Sequence, residues 1–232
     1  AMLQAKLDDL SQTNNLKGIS AAVYIPTRGL WKGVTGVSYG NVAIDTTMVF
    51  SIASITKNFV ATEILKLQEE GKLSINDTIG QYIIPSHPYI NPKITVKQLL
   101  GHKSGLGEMI NDKMQTATMA DLTRIWGARE AIDSFIPPPE APYTSAGFSY
   151  CNTNYVLLGL IIERLENDSL HKVLRKRFLD PLELKDTYMH IREQFGNVMP
   201  HNWSSPNMDP TQAQDASAYP HEALWTTTEA AG

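Results

Sequence analysis

Ser54-Ile55-Thr56-Lys57 opens a run of residues with helical spacing. Ile55, Phe59, Ile64 and Leu67 fall on one face, and Gly71 follows as a stop signal. Residues three apart on a helix are surface neighbours, so the Ser54 hydroxyl and the Lys57 amine can meet near the helix start. A serine hydroxyl is a poor nucleophile until a base takes its proton, and a nearby amine can be that base. A lysine amine is protonated in water at neutral pH, so it must be desolvated or face other cations to act this way. The partial positive charge of a helix N-terminus favours an oxyanion there.

S-x-x-K alone is a common pattern, and a solvated helix start explains an isolated match. A second element changes the balance. Tyr150-Cys151-Asn152 precedes another helical run, Tyr155 to Leu165. Tyrosine can carry a proton between a serine, a lysine and a leaving group, and asparagine can hydrogen-bond a substrate amide. Both elements fit acyl transfer through a serine ester.

Four blocks of the chain resemble one family in its own order. Phe50 to Lys57 resembles a nucleophile segment, and Leu67 to Leu73 the end of the nucleophile helix. Thr95 to Leu106 resembles the next block, and Phe148 to Tyr155 the second catalytic block. The family is that of the serine penicillin-recognising enzymes: D-alanyl-D-alanine carboxypeptidases, class C β-lactamases and related esterases. The likeness runs from about residue 17 to 232 and is weakest between 108 and 140. It implies Ser54 as nucleophile, Lys57 as its partner, Tyr150 as second acid/base and Asn152 as a substrate contact. It also implies an α+β fold, in which an antiparallel sheet flanked by helices joins a mostly helical region, here about residues 75 to 185. The whole chain is expected to form one catalytic domain, with a periplasmic or extracellular location.

The same family carries a third motif, K-[ST]-G or H-x-G, on a later sheet strand, and that motif is not found here. Leu224 to Gly232 resembles a family segment well upstream of it. The resemblance therefore implies that about a third of the domain is missing and that the first hairpin lacks its sheet partners. A lone hairpin is marginally stable. A segment that continues this chain, a separate C-terminal fragment, or strand exchange with a neighbour is the expected means of completing the sheet.

Two short patterns mimic catalytic motifs. Lys103-Ser104-Gly105 fits K-[ST]-G, but it precedes Tyr150 and follows a short helix with capping-box spacing at Thr95 and Gln98. It reads as a helix exit. Gly36-Val37-Ser38-Tyr39-Gly40 fits the G-x-S-x-G elbow, which requires a strand, a sharp turn and then a helix. Asn41 to Thr47 has no helical period, so Ser38 is not expected to be a nucleophile.

Before the nucleophile, a helix with Leu3, Leu7 and Leu10 on one face precedes strands Gly18 to Ile25 and Leu30 to Ser38, joined through Pro26 to Gly29. Ile75 to Ile94 is turn-rich. Residues 108 to 140 are polar, include three consecutive prolines, and read as an excursion over the site. Helices are expected at 154–166 and 170–179, the second capped by Ser169, and the chain reads as loop from about Asn197.

The hydrophobic share, 42% of 232 residues, is enough to bury a sizeable core. The net charge of −4 supplies no basic field for nucleic acid, and no apolar run approaches a membrane span. No signal peptide is visible. The single cysteine, Cys151, rules out a disulfide within the chain and reads as buried and inert. The histidines are scattered, so neither a metal nor another cofactor is expected, and His102 reads as a hydrogen-bonded structural residue. The reading is a serine acyl-transfer hydrolase acting on a small-molecule or peptide substrate: a D-Ala-D-Ala peptide, a β-lactam or a related amide. A carboxylesterase on the same scaffold is the first alternative, and a low-turnover binding or regulatory homologue is the second.

Overall fold

Chain reversal at Pro26 to Gly29 builds the first element pair. Gly29 takes φ +82°, a conformation that a side chain would strain. Strand β1 (Gly18–Ile25) pairs antiparallel with β2 (Gly29–Tyr39) in an unbroken register from Gly18 opposite Gly36 to Ile25 opposite Gly29. A short β3 (Val42–Ala43) pairs with the end of β2 across an irregularity between Val37 and Tyr39. The computed structural model describes residues 1–83, 87–121, 124–190, 192–194, 196, 198–201, 203–204 and 214–215. The likeness at Leu224 to Gly232 lies outside them.

The chain divides into two compact units. The first comprises residues 1–51 with 195–221, and the second residues 52–194 with 222–232. Together their elements are of the α+β class, an antiparallel three-stranded sheet plus helices. No described helix is long and apolar enough to cross a membrane.

In the first unit, helix α1 (Met2–Thr13) lies on the sheet, where Gln4 Nε2 donates to the Val34 carbonyl at 3.0 Å. Leu7 is buried as expected, but Leu3 and Leu10 are exposed, so the apolar stripe is narrower than its spacing suggests. Val23, Tyr24, Ile25 and Leu30 are also exposed on the hairpin. Ser38 is buried within β2, where its Oγ accepts the His201 N–H at 2.9 Å and its carbonyl accepts from Trp203 Nε1 at 2.7 Å. The chain runs from Ser38 into β3 rather than into a helix, so no nucleophile elbow forms. Residues from Asn197 are not all loop: β4 (Trp203–Ser204) pairs with β5 (Gln214–Asp215).

The second unit is built on α2 (Thr56–Glu69) and α6 (Asn152–Glu166). Nearly every residue of α6 from Thr153 to Ile162 is buried, as expected of a helix apolar on all sides at the centre of a core. It ends at Asn167, whose φ of +51° is a left-handed cap. The buried face of α2 is Val60, Ile64 and Leu67, with Phe59 partly buried. Ile55 does not belong to it. It sits in a 3₁₀ turn, Ala53–Ile55, and is 56% exposed. The tighter 3₁₀ winding shifts the angular phase relative to the α-helix that follows.

Helix α3 (Val96–Leu100) carries the expected capping box: the Gln98 N–H donates to Thr95 Oγ1, and the Gln98 side chain accepts the Thr95 N–H. Residues 108–140 are more than a polar excursion. Their helices α4 (Asp112–Ala120) and α5 (Ala128–Phe135) place Met114, Ile132 and Phe135 in the core, at a spacing the polar composition conceals. The helix expected over 170–179 is α7 (Leu170–Leu174) continued by a π turn, Arg175–Leu179. Ser169 occupies the N-cap position of α7, but its side chain makes no capping bond.

Candidate active site

Ala53, just before the serine, has φ +41°, unusual for a residue with a Cβ. Ser54 follows in the 3₁₀ turn, exposed, and Lys57 lies in the first turn of α2, almost fully buried. Lys57 Nζ donates to Ser54 Oγ at 3.1 Å and to Asn152 Oδ1 at 2.8 Å. The Tyr150 hydroxyl donates to Ser54 Oγ at 2.8 Å. Lys57 Nζ also lies 5.1 Å from the Tyr150 ring centre and 5.7 Å from that of Tyr155, close enough for cation–π attraction. All four residues expected at the site therefore converge: Ser54, Lys57, Tyr150 and Asn152.

A strap of hydrogen bonds between residues 102–110 and 149–154 positions Tyr150 and Asn152. The Ser149 N–H donates to the His102 carbonyl at 2.9 Å, and the Cys151 N–H to His102 Nδ1 at 3.1 Å. Thr153 Oγ1 donates to the Gly107 carbonyl at 2.8 Å and accepts the Met109 N–H at 3.0 Å. Ser104 Oγ donates to Asn154 Oδ1 at 2.5 Å. Gly105, at φ +71°, lets the loop pass Ala141, since a Cβ there would stand 2.2 Å from the Ala141 carbonyl oxygen. Lys103-Ser104-Gly105 is thus the exit from α3, as its sequence context suggests. His102 turns left-handed at φ +51°, and the Lys103 N–H returns to the Gln98 carbonyl at 2.8 Å.

His102 is buried, and its Nδ1 accepts, which puts its ring proton on Nε2. Burial lowers its affinity for a second proton, and the Lys57 charge lowers it further. Cys151 is buried with its Sγ on the Gly107 carbonyl, and burial pushes its thiol up to about 11. That is the inert cysteine expected from sequence, not a second nucleophile.

One residue of the site escaped sequence reading. Glu108 Oε2 accepts both the backbone N–H of Asn152, at 2.7 Å, and its side-chain Nδ2, at 3.1 Å. Glu108 Oε1 accepts the Ile110 N–H at 2.8 Å. Glu108 stands in the weakly matched stretch, and its partner is distant in sequence, so no local spacing could have revealed it.

A hydroxyl that contacts both an amine and a phenol at the start of a helix is arranged for activation as a nucleophile, with an amine beside it to take its proton and a phenol to hand one on. The family model for Beta-lactamase matches residues 3–231. The chain belongs to the beta-lactamase family. This is a family of serine hydrolases and amidases. Curated relatives of this beta-lactamase family chain include protein flp of Staphylococcus aureus (strain MW2), 32% identical over 149 residues, which are 61% of this chain and 28% of flp. Penicillin-binding protein 4* of Bacillus subtilis (strain 168) is 28% identical over 155 residues, 64% of this chain and 32% of that protein. The chain spans about three-tenths of the length of these relatives. D-amino acid amidase from Ochrobactrum anthropi SV3, in complex with L-phenylalanine amide, superposes with a TM-score of 0.77 at 26% identity, covering 99% of this chain and 64% of that one. The octameric penicillin-binding protein homologue from Pyrococcus abyssi shares the fold, with a TM-score of 0.71 at 23% identity over 91% of this chain and 50% of that one.

Proposed function

We propose that this protein is a serine amidohydrolase that works through an acyl-enzyme on Ser54. Its substrate would be an amide whose acyl part is a D-amino acid or a peptide ending in one, such as a D-Ala-D-Ala peptide; a β-lactam, a strained cyclic amide, would acylate the same serine. The observation that carries the reading is the double contact on Ser54 Oγ, from Lys57 Nζ at 3.1 Å and the Tyr150 hydroxyl at 2.8 Å. The preference for an amide in the D series follows the likeness to the D-amino acid amidase of O. anthropi.

In the first step Ser54 Oγ bonds to the carbonyl carbon and its proton passes to Lys57 Nζ. The carbonyl oxygen becomes an oxyanion, for which the Ser54 N–H is one donor. The C–N bond then breaks as the leaving nitrogen takes a proton from the Tyr150 hydroxyl, which recovers one from Lys57. Water attacks the ester, passing its proton back through the same groups, and the acid leaves with Ser54 restored. Asn152 would act by holding Lys57, and the second N–H of its amide could meet the substrate.

The test is labelling with a fluorophosphonate or a β-lactam, with the adduct located by mass spectrometry. The expected adduct is on Ser54 and vanishes in Ser54→Ala. Labelling of another serine, or undiminished labelling in the variant, would overturn the assignment. Relative rates on D- and L-phenylalanine amide, a D-Ala-D-Ala peptide and short-chain esters then separate amidase, carboxypeptidase and esterase. Acylation of Ser54 without turnover of any of these would favour a low-turnover binding protein.

A further inference from the structure

Glu108 holds three N–H donors with two oxygens. Two of them belong to Asn152, the backbone N–H at 2.7 Å and Nδ2 at 3.1 Å; the third is the Ile110 N–H at 2.8 Å. An ionised carboxylate only accepts hydrogen bonds, whereas a carboxamide accepts on one side and donates on the other. With Nδ2 on Glu108, the Asn152 oxygen points to Lys57 Nζ, 2.8 Å away. The flipped amide would set its oxygen against the carboxylate, a repulsive contact, and would take away the oxygen to which Lys57 Nζ donates.

We infer that Glu108 is a positioning residue: it locks the Asn152 amide in the one orientation that holds the Lys57 amine on Ser54. The need for such a lock follows from lysine's flexible four-carbon stem, which fixes its head poorly without an acceptor. This inference rests on the proposed acylation of Ser54. A purely structural role is the competing account, because Glu108 also receives the first backbone N–H of α6 and so serves that helix as a cap.

The two accounts separate in a double-mutant cycle. Glu108→Ala, Asn152→Ala and the double variant are compared with wild type for the rate of Ser54 acylation by a fluorophosphonate, for kcat and KM on a short-chain ester, and for Tm. Displacing a catalytic group by about 1 Å can cost about 10²-fold in rate. Each single variant is therefore expected to acylate about 10²-fold more slowly, the loss lying in kcat rather than KM. The double variant should be no slower than Asn152→Ala alone, because without the amide there is nothing left to orient. The capping bond survives in Asn152→Ala, so Glu108→Ala should lower Tm in both backgrounds. Wild-type acylation rates in Glu108→Ala, or losses that multiply in the double variant, would overturn the inference.

A second pair guards against poor folding of the alanine variant. Asn152→Asp sets two carboxylates against each other and should slow acylation, and adding Glu108→Gln should recover part of the loss by restoring a donor–acceptor pair. No recovery would also overturn the inference. A wild-type protein that is not acylated at Ser54 would sink the proposed function first, and this inference with it.

Discussion

The His102 imidazole lies stacked on the Tyr150 phenol, with ring centres 4.5 Å apart and planes inclined by 26°. Through Nδ1 the same imidazole accepts the N–H of Cys151, the residue after the tyrosine. His102 thus fixes the face of the ring whose hydroxyl reaches Ser54, as well as the backbone that carries it. Sequence context had assigned it a hydrogen-bonded structural role; its contacts extend that role to the tyrosine itself.

Stability should fall as the pH drops below about 6.5, in part because of this residue. Burial and the Lys57 charge lower the His102 pKa from its ordinary 6.5. The unfolded chain therefore takes up a proton first as pH falls, and the folded state loses stability until its own lower pKa is passed. Urea midpoints measured from pH 8 to pH 5 should show this slope. In His102→Asn, which keeps an acceptor and tolerates the left-handed backbone, the slope should flatten. An unchanged slope would assign the pH dependence to other groups.

Tyr150→Phe should lower the rate of acylation by about 10² to 10⁴-fold, the range for a lost acid–base group. Its hydroxyl contacts Ser54 Oγ, while the residue is 49% exposed and its ring keeps its stacking on His102 in the variant. Stability should therefore shift by no more than about 0.5 kcal/mol. Labelling rates and thermal melts measured side by side check both halves, and a large drop in Tm with intact acylation would reverse the assignment.

Arg177→Met should destabilise the protein far more than a surface change would. Arg177 Nε lies 2.7 Å from Oε1 of Glu63, a carboxylate fully buried on α2, and its Nη2 lies 2.7 Å from Glu70 Oε1. Burial raises the Glu63 pKa against the pull of Arg177. Removing one partner of a buried ion pair costs about 3–5 kcal/mol, because the other is left charged or must take up a proton. Denaturant titration of Arg177→Met with and without Glu63→Gln is the measurement, and the double variant should be the more stable of the two. Equal stability would mean that Glu63 gains nothing from the pair.

The convergence of Ser54, Lys57, Tyr150 and Asn152 could be anticipated because each sits in a short motif whose local spacing carries chemistry. The capping box of α3 and the first hairpin were legible for the same reason: their partners are close in sequence. Glu108 was not, because its meaning lies in a contact with Asn152 across the fold. Ile55 was misplaced because a 3₁₀ turn precedes α2, so extending the α-helical period back through it gives the wrong face. The core contribution of 108–140 was hidden because α4 and α5 bury only a few residues each within a polar stretch.

The strap between residues 102–110 and 149–154 has a consequence for protein engineering. Each rung joins a residue of one segment to a residue of the other, so neither is a module in its own right. A loop transplanted from a relative to alter substrate choice would arrive without its opposing half, and the tyrosine would move with whatever replaced it. The smallest transferable part of this site is the two segments together.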